Sequence, residues 1–148
     1  MVVSAQKGNL ANAAIVIDGD KYIDAAESWV ISSHDATAHS ERMLVERVCK
    51  CYRSNVTPGL TMITVVEPCL MCISACLWAG YEKMLYIIPA KKYVSRLPWM
   101  TDVSLEIKRK VLDSTEKSLI LEQAIDLEEK FSKIFETAMA KVLSSDLE

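Results

Sequence analysis

The sequence predicts an α/β domain in which a mixed β-sheet carries helices on both faces. Short β-branched apolar runs alternate with segments of helical periodicity, and turn residues or prolines separate them. No internal repeat, linker or low-complexity tract interrupts the alternation. The chain has 148 residues, 51% of them apolar and 25% charged, enough to bury one sizeable core, so a single domain over residues 1–148 is expected.

Each element has a local reason. Ala13 to Ile17 is a β-branched run, Asp18-Gly19-Asp20 is a hairpin signal, and Lys21 to Ala26 resumes an extended segment. From His39 to about Tyr52, the residues Met43, Leu44, Arg47, Val48 and Cys51 recur at helical spacing, with Asp35 or Thr37 available as a cap. Turn residues from Asn55 to Gly59 lead into a buried strand from Leu60 to Val66, which Pro68 stops. Cys69 to Ala79 reads as a helix buried nearly all round and closed by Gly80. Met84 to Ile88 is a third core strand. Pro98 is placed to start a helix through about Val111, Leu119 to Ile125 is a candidate strand, and Asp126 can cap a final helix. That helix carries an apolar stripe of Leu127, Phe131, Ile134, Phe135, Ala138 and Val142.

Composition excludes several functions. No apolar run reaches the roughly 18 residues of a membrane span, and the first residues lack a basic stretch followed by an apolar one, so a cytoplasmic location is expected. The formal charge of −3 argues against a nucleic-acid partner, because a basic face or stripe is the usual footprint. The densest basic clusters, Lys91-Lys92 and Lys108-Arg109-Lys110, read as decoration of solvated faces. Five cysteines are an odd number, and two of them form a Cys-x-x-Cys, which reads as metal binding rather than a disulfide framework. Cys49, Cys51 and Cys76 fall on apolar helical faces and are expected to be buried.

The chemistry is concentrated between Thr37 and Cys72. His39, Cys69 and Cys72 offer one imidazole and two thiolates for a single Zn²⁺, and three protein ligands leave a fourth tetrahedral position open. Cys69 and Cys72 stand at i and i+3 at a helix N-terminus, where the helix dipole and free N–H groups stabilise thiolates. Glu41 lies two residues past the imidazole. Zinc lowers the pKa of water to about 7, and a neighbouring carboxylate can take that proton and later deliver it to a leaving group.

The two boxes, Asp35-Ala36-Thr37-Ala38-His39-Ser40-Glu41 and Glu67-Pro68-Cys69-Leu70-Met71-Cys72, carry the H-x-E…P-C-x-x-C signature of zinc deaminases. They resemble the cytidine-deaminase superfamily, in the branch that holds tRNA adenosine deaminases and bacterial guanine deaminases. The resemblance runs from about residue 13 to the final helix. It implies a three-layer α/β/α fold with a five-stranded sheet, zinc held at the N-termini of two helices, and hydrolytic deamination of a base or nucleoside with Glu41 as proton shuttle. It also implies a homodimer or larger assembly, and the apolar helix after Cys69 has more faces than one small domain covers.

The resemblance extends to substrate contacts. The backbone of Ala38 and the carbonyl of Glu67 would hold the ring and the departing amine. Trp78, in Cys76-Leu77-Trp78-Ala79, would wall the pocket or pack in the core, and His34 is an exposed loop residue or a rim contact. Trp29 and Trp99 could stack on a base or simply pack. A phosphate would need positive groups at the mouth, for which Lys91, Lys92 and Arg96 are candidates.

The chain also departs from the family pattern. The substrate-binding Asn of relatives aligns with Ser28, or with Trp29 if the loop slips by one residue. Leu10-Ala11-Asn12-Ala13 replaces P-x-G-A, Ala36 replaces a proline, and only about a dozen residues precede Ala13 where relatives have a full helix. That helix is expected to be absent, shortened or supplied by a partner. Three functions follow: a deaminase of free bases or nucleosides, a tRNA adenosine deaminase, and a catalytically silent zinc subunit, against which the retained Glu41 counts.

Overall fold

A computed structural model of the chain describes residues 1–97, 100 and 102–140. Its elements are α1 (Val2–Gln6), β1 (Ala13–Asp18), β2 (Lys21–Glu27), α2 (Val30–Ser33), α3 (Ser40–Tyr52), β3 (Thr61–Val66), α4 (Leu70–Ala79), β4 (Lys83–Ile88), α5 (Leu105–Asp113), β5 (Ile120–Gln123) and α6 (Ile125–Ala138). The five strands form one mixed sheet in the order β2-β1-β3-β4-β5. β1 is antiparallel to β2 and β3, and β3, β4 and β5 run parallel. Parallel neighbours need a crossover, and α4 and α5 supply the two.

The sheet is buried on both faces because its strands alternate. Met62, Met84 and Leu121 point into one cluster with Leu44 and Val48 of α3 and Ile73, Cys76 and Leu77 of α4. Val65 and Ile87, of opposite parity, point into a second cluster with Phe135 and Met139 from α6 and the chain after it. The second face also holds Tyr93, whose ring stacks on Phe135 with centroids 4.7 Å apart. This is the three-layer α/β/α arrangement that the alternation of strands and helices predicts.

The hairpin forms at Gly19, whose φ of +56° only glycine adopts without strain. α4 ends at Gly80, with φ +79°, and a side chain there would also crowd Val56. α1 is the short helix Val2–Gln6, tied down by the Ser4 hydroxyl donating to the carbonyl of Leu10 at 2.7 Å.

Several local expectations are corrected. Neither Asp35 nor Thr37 caps α3: Asp35 closes its own turn, accepting the N–H and hydroxyl of Thr37 at 2.8 and 2.7 Å. The N-cap residue is His39, which makes no capping bond. Arg47 and Cys51 are exposed, because the buried face of α3 runs through Ser40, Glu41, Leu44 and Val48. α5 starts at Leu105, capped by the Ser104 hydroxyl accepting from Ile107 N–H. Asp126 lies inside the first turn of α6, and Leu127 is exposed there. α4 is not covered all round, since Met71 and Trp78 are exposed. Pro98, Trp99 and Val142 lie outside the described residues.

Candidate active site

Two helix N-termini and one strand end converge on the site. His39 is the N-cap of α3 and Cys69 the N-cap of α4, both with extended backbone. Cys72 follows in the first turn of α4. This brings His39 Nδ1, Cys69 Sγ and Cys72 Sγ within 4.8 Å of one another. Cys69 Sγ and His39 Nδ1 are 3.6 Å apart. Zn–S bonds of about 2.3 Å and Zn–N bonds of about 2.0–2.1 Å at tetrahedral angles would place S and N about 3.5 Å apart. The three side chains therefore fit a zinc ion without rearrangement of the His39–Cys69 pair, and His39 and Cys69 line a pocket.

In the metal-free trio, the hydrogen bond from Cys72 draws the Cys69 thiol down to about 4, against burial, with His39 adding to the effect. Cys72 moves the other way, pushed up by its bond to Cys69 and by burial. The Cys69 bond likewise raises the His39 imidazole above its usual range. Cys76, deeper in α4, is pushed up by desolvation and has no place in the cluster.

Glu41 is buried in the first turn of α3, and its two oxygens have different neighbours. Oε1 accepts from the Thr64 hydroxyl at 2.7 Å and from Asn12 Nδ2 at 3.1 Å. Oε2 accepts from the Ser40 hydroxyl at 3.0 Å and lies 3.8 Å from Cys72 Sγ. Asn12 is itself fixed, because its Oδ1 accepts the Val66 N–H at 3.0 Å. With Oε1 fixed by two donors from other segments, Oε2, which accepts only from the adjacent Ser40 and lies beside a metal-ligand sulfur, is placed for proton transfer.

The pocket is a cavity of about 340 Å³, walled by Leu10, Val30, Ile31 and Met100 with Asn12, Ser28, His39, Glu41, Glu67, Cys69, Asp102 and Lys108. Ser28 thus lines it as expected. Glu67 does so too, but its carboxylate is engaged: Oε1 accepts from Lys108 Nζ at 2.8 Å and Oε2 from Ala90 N–H at 3.1 Å. Lys108 also meets Asp102 at 3.1 Å, and Asp102 accepts the Leu70 N–H at the start of α4.

Other expected contacts fall elsewhere. Ala38 is buried behind the pocket, its N–H donated to Asp35 O and its carbonyl accepting from Trp29 N–H. His34 is exposed, closes α2 in a left-handed conformation and is not itself among the lining residues. Trp78 is neither pocket wall nor core: it is 74% exposed on the far side of α4, with Lys117 Nζ 4.8 Å from its ring. Trp29 packs under Lys7 instead of lining the pocket. Lys91, Lys92 and Arg96 are also absent from the wall.

Asn12, Thr64, Asp102 and Lys108 are the residues that sequence reasoning missed. Lys108 was placed on a solvated face with Arg109 and Lys110. A signal was present, since Leu105, Lys108 and Leu112 share one side of α5, and both leucines pack on the core. Asn12 stood out only as a departure from glycine.

Comparisons with known proteins agree with this geometry. Residues 2–88 match the family described as the cytidine and deoxycytidylate deaminase zinc-binding region. A tRNA-specific adenosine deaminase of Aquifex aeolicus is 27% identical over 88 residues, 60% of this chain and 58% of that protein. A guanine deaminase of Bacillus subtilis is 33% identical over 84 residues, 57% of this chain and 53% of that protein. The matched stretch thus spans little more than half the length of these relatives. A solved chain in complex with 8-azaguanine shares the fold, with a TM-score of 0.73 and 18% identity over 87% of this chain and 73% of that one. With the signature boxes, a zinc-compatible trio and a match over more than half its length, the chain belongs to the cytidine and deoxycytidylate deaminase zinc-binding family.

Proposed function

We propose that this protein is a zinc-dependent aminohydrolase that converts the amino group of a free nucleobase or nucleoside to an oxo group and releases ammonia. The observation that carries the reading is Glu41, held through Oε1 with Oε2 beside the metal trio, at the end of a cavity of about 340 Å³. A purely structural metal site has no use for that carboxylate.

His39, Cys69 and Cys72 hold the zinc, which when bound supplies Lewis acidity that brings the pKa of water to about 7. Glu41 takes the proton from water and passes it to the ring nitrogen beside the amino-bearing carbon, making that carbon electrophilic. The water oxygen adds there. Glu41 then takes the remaining proton from the added hydroxyl and delivers it to the amino group, so that the C–O bond becomes the oxo group as the C–N bond breaks and ammonia leaves. Leu10, Val30, Ile31 and Met100 would enclose the base and keep bulk water out, Ser28 would offer a polar contact, and the likeness to the family assigns the carbonyl of Glu67 to the departing amine.

The pocket charges favour a small neutral substrate over a polynucleotide. Glu41, Glu67 and Asp102 face a single ammonium, Lys108, which is already paired. Two nearby cations are also compensated, Lys7 by Glu27 and Arg42 by Glu46. A phosphodiester backbone requires the opposite balance. The tRNA reading is carried by the Aquifex aeolicus relative. Turnover of a panel of bases and nucleosides, run beside a tRNA anticodon stem-loop, separates the two. Ammonia from the panel is expected, whereas release from the stem-loop alone would replace this reading.

The same proposal includes assembly and location. Met71 and Trp78, seven residues apart on α4, expose an apolar stripe suited to a second copy of the chain. All five cysteines are free, which fits a reducing, cytoplasmic compartment, and no helix among the described residues is long and apolar enough to cross a membrane.

A further inference from the structure

Lys108 is 1% exposed, and Lys108 and Glu41 are the two buried charged residues among the described ones. Its ammonium bonds Glu67 Oε1 at 2.8 Å and Asp102 Oδ2 at 3.1 Å. Neither carboxylate is free to follow it, because Glu67 is pinned by the Ala90 N–H and Asp102 by the Leu70 N–H. Glu67 itself lies two residues before the metal ligand Cys69, and Leu70, which anchors Asp102, lies one residue after it. The amine is therefore fixed, and Lys108 lines the same pocket as His39 and Cys69.

An ammonium carries three N–H donors and no acceptor. Two donors are used by the carboxylates. Packing gives no reason for the charge: Leu105 and Leu112 on the same side of α5 are apolar, and an apolar residue in place of a buried ion pair is often as good for stability. The triad is also not enclosed by core. It separates the pocket from a second cavity of about 490 Å³ lined by Tyr86, Pro89 and Val94.

We propose that Lys108 is a specificity-determining residue whose remaining N–H donates to an oxo group on the substrate base. Resting on the free-base reading above, this assigns the substrate class: amino bases with a carbonyl one ring nitrogen away from the amino-bearing carbon. Guanine, isoguanine and cytosine have that arrangement. 2-Aminopurine, adenine and 4-aminopyrimidine are their counterparts with hydrogen in place of the oxo group, and they leave the Lys108 donor without a partner.

The test is kcat/KM of the zinc-loaded protein on three matched pairs: guanine with 2-aminopurine, isoguanine with adenine, and cytosine with 4-aminopyrimidine. A hydrogen bond from a charged donor corresponds to a preference of about 10- to 150-fold for the oxo member of whichever pair is turned over. In Lys108→Met the oxo member loses more than its counterpart and the ratio falls to within a few-fold of unity. Lys108→Arg, which keeps charge and donors if Lys108→Met fails to fold, retains the preference. A wild-type ratio near unity overturns the assignment without any variant. So does an equal fall for both members in Lys108→Met, which is the mark of a structural role. Absence of turnover on every base overturns this assignment, and the aminohydrolase reading falls with it only if the nucleosides are not turned over either.

Discussion

Thr64 donates its hydroxyl to Glu41 Oε1 at 2.7 Å, from the middle of β3 to the first turn of α3. This bond ties the strand that leads into the Cys69 box to the helix that begins at the His39 box. Asn12 completes the grip from the residue before β1, so three separate segments set the orientation of one carboxylate. Thr64→Val keeps the shape and removes the donor. Since a hydrogen bond to a charged group contributes about 1.5–3 kcal/mol, kcat should fall about 10- to 100-fold with KM and zinc content unchanged. Steady-state kinetics with metal analysis checks it, and a rise in KM at constant kcat would contradict the positioning role.

Zinc removal should act on stability as well as activity. At free zinc about 1,000 times its Kd, binding to the folded state alone stabilises by about 4 kcal/mol, so chelation should lower the thermal midpoint reversibly. Cys69→Ser should bring the same midpoint down and make it insensitive to chelator. A midpoint that ignores zinc would remove His39, Cys69 and Cys72 as its ligands.

Thiol chemistry follows from the same site, with the sign set by the shifts. Cys69 is drawn down to about 4 in the metal-free chain, so at pH 6 it is already thiolate and should alkylate there once zinc is chelated. Cys76, buried and pushed upward by desolvation, should resist at any pH that leaves the fold intact. Peptide mass mapping after alkylation, with and without chelator, reads both sites. Labelling of Cys76 ahead of Cys69 would contradict this assignment.

The packing predicts where the fold is least tolerant. Leu44 is fully buried between α3 and the sheet, and Leu44→Ala should cost about 2–5 kcal/mol in a denaturant titration. Trp78 is exposed, so Trp78→Glu should leave stability nearly unchanged while shifting an assembled form towards monomer in sedimentation. An unaltered sedimentation profile would take α4 out of the interface.

Much of this was legible from the sequence. The apolar, β-branched runs around Val16, Met62 and Met84 mark the core strands, and the spacing of His39, Glu41, Cys69 and Cys72 marks the trio and its carboxylate. Local patterns failed where a tertiary contact decides. Lys108 reads as one of three surface cations until Glu67 and Asp102 are brought to it by the chain crossing from β4 to α5. Asp35 has the right chemistry for a cap but satisfies Thr37 within its own turn. Trp78 sits on an apolar helix, yet its position on that helix faces away from both sheet and pocket. Ser28 was found through the likeness to relatives, and its place in the pocket wall bears on that alignment.

The central claim is that Glu41 moves protons in a zinc-dependent deamination. The most direct test is ammonia release from a panel of bases and nucleosides by the zinc-loaded protein, with Glu41→Gln assayed beside it at equal zinc content. The account predicts release from at least one oxo-bearing amino base and a loss of about 100- to 10,000-fold in kcat for Glu41→Gln. Ammonia released equally by both proteins, or by neither with zinc still bound, would contradict it.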